Sequence, residues 1–163
     1  MKRRTLKIFA VIALIPILLV ALVLVFAPSF RAGWHARHVL ESASTVEVTE
    51  YRGSTFYGHP GHPLTTQSLT RKQITRLADS FGRFELPDPG SACLFSPHHV
   101  IRCRYSDGTT HEIALCFSCG HIAIDSGDPL AVGDDYMQPI REALRSIGVP
   151  VRERSFYKDN AEE

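Results

Sequence analysis

The most reactive side chains in this sequence are four cysteines and eight histidines, and all of them lie beyond Trp34. They concentrate in one block, Cys93-Leu-Phe-Ser-Pro97-His98-His99 followed by Cys116-Phe-Ser-Cys119-Gly120. Thiolates are nucleophiles and soft metal ligands, and a neutral imidazole binds metals or moves protons. Cys93, His98, His99, Cys116 and Cys119 are therefore the candidate site. Cys103, the fourth cysteine, sits between the two halves of the block.

The Cys116-x-x-Cys119 pair admits four chemistries. A thioredoxin-type redox centre needs it at a helix start, where the dipole lowers the thiol pKa. Here His121-Ile-Ala-Ile-Asp125 follows, which reads as a strand. Haem attachment needs histidine directly after the second cysteine, and Gly120 stands there. Cys-x-x-Cys-Gly in a turn is half of a zinc knuckle, and Cys93 with His98 or His99 can supply the other half. The favoured reading is structural: disulfides, or buried thiols, at one end of a sheet. On that reading no cofactor is expected, with zinc as the alternative. The connectivity of any disulfide stays open.

Other candidates are weaker. His59 and His62 flank a Pro-Gly loop and read as loop residues. Asp134-Asp135 reads as a helix cap. There is no G-x-S-x-G, P-loop, G-x-G-x-x-G or H-E-x-x-H motif.

The elements that must position the block follow from periodicity. Thr45–Arg52 alternates and is rich in β-branched residues, so it is a strand, and Ser54–Tyr57 is a candidate second strand. His59–Pro63 is a loop. Ser68–Phe81 is the clearest helix: Thr70 and Gln73 form a capping-box pair, and Ile74, Leu77, Ala78 and Phe81 share one face. Val100–Tyr105, Thr110–Phe117 and His121–Asp125 are three strands in sequence. A closing helix carries Tyr136, Ile140, Ala143, Leu144 and Ile147, and Gly148 stops it. Short-linked strands give an antiparallel sheet, and two amphipathic helices can cover one face. The fold class is thus α+β in two layers. Its core is expected to hold Ile74, Leu77, Phe81, Ile101, Ile113, Leu115, Ile140, Leu144 and Ile147.

A three-residue loop at Asp107–Thr109 would set Cys103 opposite Ile113 and Ile101 opposite Leu115. Extending that register sets His99 opposite Phe117 and His98 opposite Ser118, beside the Cys-x-x-Cys. Cys103 then faces the core and Cys116 the other side, which disfavours a bridge between them.

Residues 8–27 carry no charge, and at about 1.5 Å per residue they span the ~30 Å of a bilayer core. The run exceeds the usual apolar length of a cleaved signal, and Val25-Phe26-Ala27 is a poor cleavage site. An uncleaved transmembrane anchor is expected. Lys2, Arg3, Arg4 and Lys7 precede it and only Arg31 and Arg37 follow closely, which keeps the amino terminus in the cytoplasm and exports the remainder. The expected divisions are 1–27 (basic tip and anchor), 28–43 (juxtamembrane connector), 44–158 (exported α+β domain) and 159–163 (flexible tail). Trp34 is either a membrane-interface residue or a core anchor. Near-neutral charge, 18 basic against 17 acidic residues, excludes an electrostatic nucleic-acid binder.

The block Cys93-x-x-x-Pro97-His98-His99 … Asp107-Gly108 … Cys116-Phe-x-Cys119-Gly120 resembles a pattern of small, uncharacterised, exported or membrane-anchored bacterial proteins. The resemblance covers residues 93–120 and the end of the closing helix at Ile147-Gly148-Val149. It implies a bacterial source and a grouping of the Cys/His block, and it supplies no catalytic assignment. The expectation is a single-pass protein of the bacterial inner membrane, whose outer domain binds a protein or small molecule. The rival is an enzyme, a tethered thiol oxidoreductase or a zinc-dependent hydrolase.

Overall fold

The structure is a computed structural model that describes residues 15–16, 18–20, 28–52, 61–82 and 95–152. Its elements run α1 (Pro28–Ser42), β1 (Thr45–Tyr51), β2 (Pro63–Ser68), α2 (Arg71–Ser80), β3 (His99–Arg104), β4 (Thr110–Cys116), β5 (His121–Ile124), β6 (Leu130–Ala131) and α3 (Asp134–Ser146). The strands make one antiparallel sheet in the order β2-β1-β3-β4-β5-β6. Val46 and Val48 of β1, Ile101 and Cys103 of β3, Ile113 and Leu115 of β4 and Ile122 of β5 face the helices and join their apolar sides in one core. The fold class is α+β, and all nine expected core residues are buried in that cluster.

α2 forms for the expected reason. The Thr70 side chain accepts from the Gln73 amide, and the Gln73 side chain accepts from the Thr70 amide. Two otherwise orphaned donors at the helix start are thereby satisfied. The helix begins later than Ser68 because that residue closes β2, pairing with Glu47. β2 is itself a correction: Pro63 was expected in a loop. It starts an edge strand instead, a place where a missing amide hydrogen is tolerated. The expected strand at Ser54–Tyr57 lies outside the described residues.

A second correction concerns residues 28–43. Expected as a connector, residues 28–42 form α1, and Ala36, Val39, Leu40 and, just past its end, Ala43 pack in the core. Those residues do recur at helical spacing. Two of the four are alanines, whose small side chains give the face little apolar weight in the sequence. Close approach takes the place of bulk: Gly33 lies against the carbonyl of Phe81 and the hydroxyl of Tyr136. Arg37 then ties α1 to α2, with Nε 2.8 Å from Glu41 and a terminal nitrogen 3.1 Å from Asp79.

The β3–β4 hairpin has the expected loop length one residue earlier. Tyr105 N–H donates to Thr109, and Gly108 N–H to Tyr105, so the loop is Ser106–Gly108. Gly108 takes the left-handed backbone position, φ +87°, that closes such a turn. Asp107 accepts from the Thr109 amide and hydroxyl, and these bonds hold its carboxyl below the ordinary range. The pairing is therefore Cys103↔His111, Ile101↔Ile113 and His99↔Leu115, two residues from the expected register. An even slip keeps every side chain on its expected face.

In α3, Asp134 and Asp135 occupy the first turn and Gly133 the capping position. The two carboxylates act on the helix dipole and do not cap. Most of residues 8–27 lie outside the described residues. Residues 15, 16 and 18–20 are helical, with Ile15, Leu18, Leu19 and Val20 exposed. Among the described residues, no helix is long and apolar enough to cross a membrane. The tail at 159–163 lies outside the description.

Candidate functional site

The end of β1, the start of β3, the end of β4 and the start of β5 meet at one end of the sheet. Glu50, His99, Cys116 and His121 arrive there together. The pleat then divides them, because neighbours along an extended chain point to opposite faces. His99, paired between Glu50 and Leu115, belongs to the helix side. Cys116 belongs to a small cluster on the other side with Phe95, Cys119 and Ala123. The ladder continues past His99, since Tyr51 N–H donates to the His98 carbonyl at 2.7 Å. Successive residues His98 and His99 thus cannot both stand beside the Cys-x-x-Cys. His99 does touch Phe117, edge to face at 5.2 Å between ring centroids.

The thiols have distinct states. Cys103 is a buried thiol in the main core, and burial, with the Asp125 charge adding to it, pushes its pKa up to about 12. Such a group is inert, since the thiolate is the reactive form. Cys116 is also a buried thiol. Cys119 is disulfide-bonded. The Ser118 hydroxyl lies between these two, 3.3 Å from Cys116 Sγ and 3.7 Å from Cys119 Sγ. Cys93 lies outside the described residues. After Cys119 the chain enters β5, a strand, so the Cys-x-x-Cys does not open a helix as a thioredoxin-type centre does.

A cluster that the sequence reading missed lies on the helix side. Glu50 is fully buried, and its carboxylate accepts from Arg152 Nε at 2.9 Å. Beside it, His99 Nε2 is 2.8 Å from the Pro150 carbonyl. A carbonyl only accepts, so Nε2 carries the proton and Nδ1 is bare. That Nδ1 is buried with no hydrogen-bond partner among the described residues. Burial holds the His99 pKa below the ordinary imidazole value, against the pull of the Pro150 carbonyl and the Glu50 charge; His98 is lowered by burial too. Together these contacts clamp residues 150–152 onto the sheet end. The signal was present in β1: a period of two that turns Val46 and Val48 inward also turns Glu50 inward. His99 is only 1% exposed, and with Glu50 and Arg152 it holds residues 150–152 against the sheet as a clamp.

Two further histidines, His121 and His111, are engaged locally. His121 Nδ1 lies 2.7 Å from the Cys119 carbonyl, and His111 Nδ1 lies 2.6 Å from Asp125. His62 flanks β2, and His59 is outside the described residues. Among the described residues, no three His, Cys, Asp or Glu side chains gather as metal ligands would. In comparisons with protein-family models, curated proteins and solved structures, the chain matches none.

Proposed function

We propose that this chain is a single-pass protein of a bacterial inner membrane, anchored by residues 8–27, whose α+β domain works outside the cytoplasm by binding a protein or small molecule. The observation that carries this reading is the mixed state of the Cys-x-x-Cys. Cys119 is bridged while Cys116, three residues before it, remains a thiol. A stable bridge fits an oxidising compartment. Cys103 and Cys116 are both thiols, so the bridge of Cys119 does not close within the Cys-x-x-Cys.

Both enzyme readings lose support from the same observation. A dithiol redox centre cycles its two sulfurs against each other, and here the second is bonded elsewhere. A zinc site needs thiolates, and a disulfide sulfur is not one. The basic amino-terminal tip and the uncharged run after it support the anchor and its orientation.

The test uses the full chain with a carboxy-terminal alkaline phosphatase fusion, together with maleimide labelling before and after reduction. Phosphatase activity, two thiols in denaturant and two more after reductant are expected. An inactive fusion would overturn the exported placement. Four thiols and one equivalent of bound zinc would replace the binding module with the zinc reading.

A further inference from the structure

We infer that the face of α1 carrying Arg31, Trp34, His35 and His38 lies against the lipid headgroups, so that the helix layer of the domain rests on the bilayer. This rests on the anchor reading above and adds an orientation to it. Among the described residues, the exposed large apolar side chains are Ile15, Leu18, Leu19, Val20 and Trp34. Four belong to the apolar run. Trp34 is 64% exposed and belongs to the folded domain, where every other described large apolar side chain is at least partly covered.

The opposite face of α1 prevents the helix from rolling to hide it. Ala32, Ala36, Val39 and Leu40 are all nearly inaccessible, and Gly33 lies against α2's end and Tyr136. Arg31, Trp34, His35 and His38 recur at three- and four-residue spacing and are all exposed. They form one stripe, aromatic at its centre and basic or imidazole around it. Trp34 and His38 stack with ring planes 7° apart and centroids 5.8 Å apart. An indole with a wet N–H and an apolar ring suits the headgroup level, and cationic neighbours suit anionic headgroups.

Distance makes the contact hard to avoid. The apolar run ends at Ala27 and α1 begins at Pro28. Seven residues of helix rise about 10 Å, and the headgroup layer is roughly 5–8 Å thick on each side. Trp34 therefore stays within a few ångströms of that layer even if α1 stood upright. Pro28 has no amide hydrogen, and its ring disfavours a helix running straight through it, which favours a turn at the membrane surface. The sheet face opposite the helices, with its Arg102–Glu112 pair, then points away from the bilayer toward a partner in the medium.

Trp34 is the only tryptophan, so its emission reports this contact without labelling. The full chain is reconstituted in vesicles of phosphatidylcholine and phosphatidylglycerol, with and without lipids brominated near the headgroup end of the acyl chains. Expected are strong quenching by the brominated lipid and at least a several-fold smaller response to aqueous iodide than free tryptophan gives. Carbonate extraction of the same vesicles separates the two ways to fail. If the chain stays in the pellet while iodide quenches Trp34 fully and brominated lipid does not, the docking of α1 is overturned and the anchor stands. If carbonate releases the chain, the anchor fails and the docking falls with it. Trp34→Ser should leave the urea midpoint unchanged, since the indole touches little of the core; a loss of stability would mean that the ring packs in the domain and would overturn the inference.

Discussion

Replacing Gly33 by alanine sets two effects against each other. Inside a helix, alanine is favoured over glycine by about 1 kcal/mol, so local propensity predicts stabilisation. The tertiary contact predicts the reverse. A methyl at Gly33 would lie under 3.0 Å from both the Phe81 carbonyl and the Tyr136 hydroxyl. These two atoms are bonded to each other, the hydroxyl donating to the carbonyl at 2.8 Å in a buried setting. The methyl overlaps both atoms, so it must both force α1 away from α2 and α3 and break that bond. Overpacking costs about 1–3 kcal/mol, and a buried polar group left without its partner costs about 1–3 kcal/mol. After the propensity gain, a net loss of about 3 kcal/mol is expected. For a domain with a urea m-value of about 2 kcal/mol/M, the midpoint falls by about 1.5 M. Urea titration of the full chain in detergent, followed by circular dichroism, measures it. Tyr136→Phe removes the crowded hydroxyl, so the double variant should be less destabilised than the two singles predict, by about 1 kcal/mol or more. A Gly33→Ala chain as stable as the parent, or additivity within about 0.5 kcal/mol, would refute the close-approach argument.

Leu115→Ala, in the centre of the sheet and fully buried, should cost about 2–5 kcal/mol in the same titration. Arg152→Met should cost about 1–3 kcal/mol, discounted because the Arg152 side chain is 38% exposed, and adding Glu50→Leu should recover part of the loss because the buried carboxylate goes with it. If Glu50→Leu instead adds its full cost on top, the clamp is not a coupled pair. His98 and His99 have folded pKa values below 6.5, so the unfolded chain takes up their protons first. Stability from this source is complete above about pH 6.5 and declines as pH falls below that toward the folded values; His99→Leu should flatten the decline between about pH 6.5 and pH 5. A urea midpoint that stays level or rises on acidification over that range would contradict the buried neutral imidazoles. Cys103 and Cys116 should resist a maleimide in the native chain and react at once in denaturant, whereas fast native labelling would mean that neither is sealed.

What sequence alone determined was what local interactions decide. The Thr70/Gln73 capping box closes within four residues, so α2 was legible down to its first hydrogen bond. The alternation in β1, β3 and β4 assigned faces, and Cys103 and Cys116 fell on the sides expected because an even slip leaves faces unchanged. The tertiary structure decided the rest. α1 was hidden because alanine and glycine announce little apolar character; their value appears only when α2 and Tyr136 come close. The register depended on which residue took the left-handed position at Gly108, a choice that moves every cross-strand partner by two. Five candidate residues close in sequence suggested one site, yet the pleat sends His99 to one face of the sheet and Cys116 to the other. The Glu50–Arg152 pair joins residues about a hundred positions apart. No window of sequence contains both partners, and a carboxylate can remain buried there only because chain closure brings the guanidinium to it.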